Sequence, residues 1–108
     1  MFLLFPKVTG PLRSFYNLYF GEREILYFYN YLKSYKNNYI FIDIGANMGL
    51  YTQNIAYLNS TNRIIKIISI EPNPTNVDRL KKNIILLKSK IKNIKKLVKI
   101  INCAVDKN

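Results

Sequence analysis

The 108-residue chain has no histidine and only one cysteine, Cys103. Without histidine, the commonest general base near neutral pH is missing. One thiol excludes an intramolecular disulfide framework, and with no histidine a Cys/His zinc site is excluded too. Long apolar runs are also missing. Met1-Phe2-Leu3-Leu4-Phe5 stops at Pro6-Lys7, too short for a signal-peptide core and without a basic leader or small-residue cleavage site. No run approaches the roughly 18–20 apolar residues of a membrane span. A soluble, cytoplasmic chain is the expectation. Acids are scarce as well: 6 Asp+Glu stand against 17 Lys+Arg, a net charge of +11. That balance invites a nucleic-acid reading. However, Ile, Lys, Asn and Tyr supply 52 of the 108 residues, a skew that raises lysine and asparagine without selection for an acidic partner.

What remains is enough for one modest domain and excludes a multidomain machine. At 49% hydrophobic and 21% charged, the chain can bury a core and is not compositionally disordered. No internal repeat or Ser/Gly/Pro-rich linker divides it. Pro6, Gly10 and Pro11 break the opening, so residues 1–20 read as an irregular, aromatic-rich lead-in. From Glu22 to about Lys36 the apolar positions Ile25, Phe28, Tyr29 and Leu32 recur at helical spacing, with Glu22 and Glu24 suiting the positive end of the helix dipole. Tyr39 to Ile44 is a nearly continuous apolar run that reads as a central strand buried on both faces. Residues 49–58 read as a helix, and Asn59 to Asn62 as a polar loop. Ile64 to Ile70 reads as a strand, Pro74 to about Lys88 as a helix, and Leu97 to Val105 as a third strand. Alternating strands and helices of these lengths predict an α/β fold with a parallel sheet.

The chemistry concentrates in Phe41-Ile42-Asp43-Ile44-Gly45-Ala46-Asn47-Met48-Gly49. A strand ends in acid-x-Gly, a tight loop follows, and a second glycine opens the next helix. Two glycines permit unusual backbone angles and close approach of a ligand, and Asn47 tolerates the left-handed region. Exposed N–H groups at the helix start would form a polar cradle at the carboxyl edge of the sheet, where open α/β sheets bind ligands. The spacing Gly45-x-x-x-Gly49 is not the dinucleotide fingerprint G-x-G-x-x-G, and Gly49-Leu50-Tyr51 is not a P-loop ending. Glu71, at the end of the second strand, offers a carboxylate for two ribose hydroxyls. Asp43 adds a negative charge beside the loop, which argues against pyrophosphate and favours a ligand with a positive amino group. The pattern suits S-adenosylmethionine better than a dinucleotide.

Residues 21–108 resemble the FkbM-type methyltransferases, a branch of the class I S-adenosylmethionine-dependent enzymes. The resemblance rests on Gly21-Glu22, on Phe41 through Thr52 with its Gly-Ala-Asn-x-Gly-x-Tyr-Thr core, and on Ile70-Glu71-Pro72-Asn73-Pro74. Asn76, Leu80, Asn83-Ile84 and Asn102-Cys103-Ala104-Val105-Asp106 extend it. It implies a Rossmann-like fold, of which this chain would hold the N-terminal half with about three parallel strands in an incomplete sheet. It implies methyl transfer to an oxygen, often a sugar hydroxyl of a glycan or small-molecule acceptor. Carried over by position, Gly45, Ala46, Asn47 and Gly49 would hold the methionine part of the cofactor and Asp43 its amino group. Glu71 would bind the ribose, while Pro72, Asn73 and Asp106 would border the adenine. No catalytic residue can be named and no metal is implied. The family's acceptor groups usually follow the fourth strand, so the chain is expected to be a cofactor-binding half, truncated or completed by a partner, and inactive alone.

Blander readings accompany these. Tyr51 and Thr52 read as packing and first-turn residues rather than ligand contacts, and Cys103 as a buried strand residue. The aromatic cluster Phe15, Tyr16, Tyr19, Phe20, Tyr27, Phe28, Tyr29, Tyr31 and Tyr35 reads as packing on the sheet, with a base-stacking platform or an acceptor pocket as the sharper readings. From Arg79 to Lys107 ten Lys/Arg face only Asp106. A solvated face explains most of them. The competing function is a small basic module that binds nucleic acid.

Overall fold

A computed structural model describes residues 24–59 and 62–106. The lead-in, Gly21-Glu22, the cluster residues Phe15, Tyr16, Tyr19 and Phe20, and Lys107 therefore lie outside the described residues. Helix α1 spans Glu24–Lys33, strand β1 Tyr39–Ile44, helix α2 Leu50–Leu58, strand β2 Ile64–Ile70 and helix α3 Pro74–Leu86. A single 3-10 turn, Leu87–Ser89, the short helix α4 at Ile94–Leu97, and strand β3 at Val98–Ile101 complete the order. The three strands form a parallel sheet in the order β1-β2-β3, the arrangement that successive helical crossovers in one direction produce. The fold is α/β, as expected.

Register and alternation decide which side chains meet. Phe41 pairs with Ile67, which pairs with Val98; Asp43 pairs with Ser69, which pairs with Ile100. Because side chains alternate along a strand, these six share one face. Ile55 and Ala56 of α2 and Leu80 and Ile84 of α3 bury there with Ile67 and Val98, joined by Leu87 and Ile94. Tyr29 of α1 reaches the same core, and its hydroxyl donates to Asn59 Oδ1 at 3.1 Å. Asn59 also donates through Nδ2 to the Ile64 carbonyl at 2.7 Å and accepts from Ile64 N–H at 2.9 Å. One buried amide thus pins α1, the end of α2 and the start of β2. Such a group is stable in the interior because its donors and acceptors are paired.

The opposite face carries Ile40, Ile42 and Ile44 of β1 beside Lys66, Ile68 and Ile70 of β2, the pairing again fixed by register. Ile40, Ile42 and Ile44 are 57%, 55% and 63% exposed. The expectation of a central strand buried on both faces is thus corrected. Among the described residues β1 is an edge strand, and the helices cover only one side of the sheet.

Element ends also differ from the sequence reading. Helix α1 stops at Lys33 rather than near Lys36, and α3 stops at Leu86 before the 3-10 turn. The third strand covers Val98–Ile101 only, because Ile94–Leu97 forms a helical turn ahead of it. Cys103 lies beyond that strand and is exposed, which overturns its reading as a buried strand residue. Of the described aromatics in the cluster, Tyr29 is buried and the exposed Phe28 meets Phe41 in a tilted ring contact at 6.1 Å; Tyr27, Tyr31 and Tyr35 are exposed. Packing on the sheet therefore accounts for only part of the cluster.

The two faces should respond differently to substitution. Ile67→Ala, at a fully buried site, is expected to cost about 2–5 kcal/mol. Ile42→Thr, on the open face, should stay under about 1 kcal/mol. Urea unfolding followed by circular dichroism reads both.

Candidate functional site

The carboxyl ends of β1 and β2 bring Asp43, the Gly45–Gly49 loop and Glu71 together. Gly45 has φ +75, Asn47 φ +55 and Gly49 φ +93, so three of five loop residues occupy the left-handed region that the residue types anticipate. Gly45 faces open space, and a Cβ there would meet nothing within 4 Å. Gly49 is enclosed: a Cβ would drive into Leu80 Cδ1 and lie 3.3 Å from Gln53 Nε2. The second glycine therefore serves close packing of α2 on α3 as well as backbone conformation.

Glu71 ties this loop to the second strand. Its Oε2 accepts the Asn47 backbone N–H at 2.7 Å, and its Oε1 accepts the Asn73 N–H at 3.1 Å. Both oxygens are thereby oriented by the backbone, and the residue is buried. Other loop donors turn inward: Gly45 and Ala46 N–H both bond the Ile70 carbonyl, at 2.8 and 3.0 Å, and Gly49 N–H bonds the Ala46 carbonyl at 2.8 Å. Four donors of the loop, with that of Asn47 on Glu71, are thus used within the protein, which makes it a closed turn with fewer donors left for a phosphate.

Asp43 lies beneath the loop at 7% exposure. Burial pushes its carboxyl above the ordinary carboxylate range and the charge of Glu71 adds to that, while the Thr52 hydroxyl and backbone N–H pull it down. The Thr52 hydroxyl donates to Asp43 Oδ2 at 2.6 Å and lies 2.6 Å from Ser69 Oγ.

The remaining candidates divide by position. Ala46 is buried in the core. Asn73 is exposed, and its side chain caps α3 by accepting the Thr75 N–H at 2.9 Å. Pro72 is exposed beside Glu71, and Asp106 is exposed past the end of β3. Thus Asp43, Gly45, Asn47, Gly49 and Glu71 form one constellation with Pro72 and Asn73 at its rim.

Three amide side chains hold this constellation: Asn83 and Asn102 entered the sequence reading only as part of the resemblance, with no role given, and Gln53 did not enter it. Asn83 and Gln53 donate to the Met48 carbonyl at 2.9 and 3.1 Å. Asn102 donates to the Glu71 and Pro72 carbonyls, both at 2.9 Å. Gln53, Asn54 and Thr52 give α2 a buried polar side; three polar residues in a row at a helix start were the available signal. No group of His, Cys, Asp or Glu among the described residues could hold a metal ion. No helix among them is long and apolar enough to cross a membrane. No family model, curated protein or solved structure matches the chain.

Two outcomes follow from this geometry. Gly49→Ala combines a left-handed φ with overlap on Leu80 and should cost about 2–4 kcal/mol, against about 1–2 kcal/mol for Gly45→Ala; thermal unfolding compares them. Asp43 titrates higher in the folded chain than in the unfolded one, so its neutral form favours folding. That contribution is present at low pH and lost as pH rises through the folded value. Asp43→Asn, uncharged throughout, should therefore exceed the parent chain in stability at neutral pH. The difference should shrink as pH falls through the Asp43 titration, measured by urea unfolding across pH.

Proposed function

We propose that this chain is the S-adenosylmethionine-binding part of an FkbM-type methyltransferase that acts on an oxygen of a sugar or related small-molecule or glycan acceptor. The observation that carries the reading is the pair of buried carboxylates, Asp43 and Glu71, at the carboxyl ends of adjacent parallel strands, joined across a loop of left-handed residues. Two acids with a closed turn between them disfavour a phosphate-bearing ligand. They favour one that combines a positive amino group with a vicinal diol. S-adenosylmethionine has both.

The chain's own groups divide the work of binding. Glu71, with both oxygens held by backbone N–H groups, would accept the two ribose hydroxyls on its remaining lone pairs. Asp43 would pair with the ligand's amino group, and the Gly45 backbone, open to solvent, would border the methionine chain. Pro72 and Asn73 would border the adenine. The cofactor, when bound, supplies an electrophilic sulfonium methyl group. Transfer then depends on alignment of the acceptor oxygen, for which no described residue is assigned as base.

The described lysines of the basic run are exposed; Lys92 and Lys96 line a cavity of about 410 Å³ together with Asn59, Asn62 and Asn93, at the start of β2 and away from Asp43 and Glu71. The test is a titration of S-adenosylmethionine into the purified chain, followed by amide chemical shifts, which read weak binding. Shifts are expected around Gly45 and Glu71. Glu71→Ala should weaken binding roughly 10- to 100-fold, the usual effect of losing hydrogen bonds to a charged group. Absence of any response to the cofactor, together with oligonucleotide binding that collapses with salt, would replace this reading with the nucleic-acid module.

A further inference from the structure

Helix α2 turns Thr52 into the core at 0% exposure, facing Ser69 of β2, which is also 0% exposed. A threonine used only for packing has no need of two hydrogen-bond partners at 2.6 Å. An ionised Asp43 can only accept, so the Thr52 proton must go to Asp43 Oδ2. The Thr52 oxygen is then left to accept, and the Ser69 proton goes to it. The three groups form a directed chain, Ser69 to Thr52 to Asp43, drawn from three consecutive elements of the fold. It is set by the register that opposes Asp43 to Ser69.

We propose that Thr52, backed by Ser69, is the positioning residue for Asp43, holding its carboxylate ionised and fixed in orientation beneath the Gly45–Gly49 loop. The proposal rests on the reading of Asp43 as partner of a cationic ligand group. Burial and the neighbouring charge of Glu71 both favour the neutral acid at this position. The hydroxyl chain opposes them, since donors to a carboxylate stabilise its charged form. When Asp43 takes up a proton the chain can reverse: Asp43 donates to Thr52, and Thr52 donates to Ser69. The state with a negative charge under the loop and the state without one thus share the same three heavy-atom positions. Affinity for a cationic amino group becomes coupled to the direction of the chain, with no rearrangement of the fold.

The test uses the whole chain labelled with carboxyl carbon-13 aspartate, which gives only three signals, from Asp43, Asp78 and Asp106. The titration of Asp43 is followed without ligand in the parent chain and in Thr52→Val, Thr52→Ser and Ser69→Ala. Thr52→Val should move the Asp43 midpoint upward, Ser69→Ala should move it upward by less, and Thr52→Ser should leave it near the parent value. S-adenosylmethionine binding at neutral pH should fall about tenfold in Thr52→Val, as expected for loss of one hydrogen bond to a charged group, and be retained in Thr52→Ser. An unchanged Asp43 midpoint in Thr52→Val, or equal shifts in the valine and serine variants, overturns the proposal. Should the valine variant fail to fold, Ser69→Ala decides: no upward movement there overturns the chain. If the midpoints move as expected but the parent chain binds no cofactor, the positioning role stands and the cofactor reading fails.

Discussion

The Glu71 carboxylate is the constraint on which the candidate site depends. Its two oxygens take backbone N–H groups from two different turns, Asn47 in the loop after β1 and Asn73 ahead of α3. One side chain therefore fixes two strand-to-helix turns relative to each other. The turns are held from behind as well, by Asn102 on the Glu71 and Pro72 carbonyls and by Asn83 and Gln53 on that of Met48. A loop with three residues at positive φ is held in a sparsely populated conformation, and such conformations persist where surrounding contacts over-determine them.

Beneath the loop the fold departs from ordinary core construction. A helix packed on a parallel sheet normally presents an apolar stripe to it, and the Ile55–Ala56 end of α2 does so. Its first turns bury Thr52, Gln53 and Asn54 instead, with Thr52 turned to the sheet. Burying such groups is unfavourable unless each is hydrogen-bonded, and the structure supplies the partners: Asp43 and Ser69 for Thr52, the Met48 carbonyl for Gln53, and the Leu50 carbonyl for Asn54. Polar interior and apolar interior thus divide the same sheet face, with the carboxyl edge reserved for charge.

Much of this was legible in the sequence. The runs Tyr39–Ile44 and Ile64–Ile70 coincide with β1 and β2 to the residue, because short β-branched runs bounded by turn residues have few other solutions. The loop's left-handed residues were legible too, since Gly and Asn are the types that accept that conformation at low cost. Less legible was anything that depends on what lies across the sheet. Ile40, Ile42 and Ile44 alternate with Tyr39, Phe41 and Asp43 in a run that is hydrophobic on both sides, and composition alone cannot distinguish a covered face from an open one. The reach of β3 was overestimated for a related reason. Apolar residues from Leu97 to Val105 satisfy a strand pattern, yet pairing with β2 extends only over Val98 to Ile101.

The sequence by itself determined the local grammar of this protein: strand, glycine-bounded turn, helix, and an acid at the end of each of the first two strands. Those features arise from backbone preferences and side-chain periodicity, which act between near neighbours. Only the tertiary structure decided that Asp43 and Ser69 stand opposite each other, that Thr52 closes on both, and that Glu71 ties the loop after β1 to the turn ahead of α3. Each of these needs two or three elements distant in sequence to meet at hydrogen-bond range. Strand register and helix packing set such distances, and residue type alone does not.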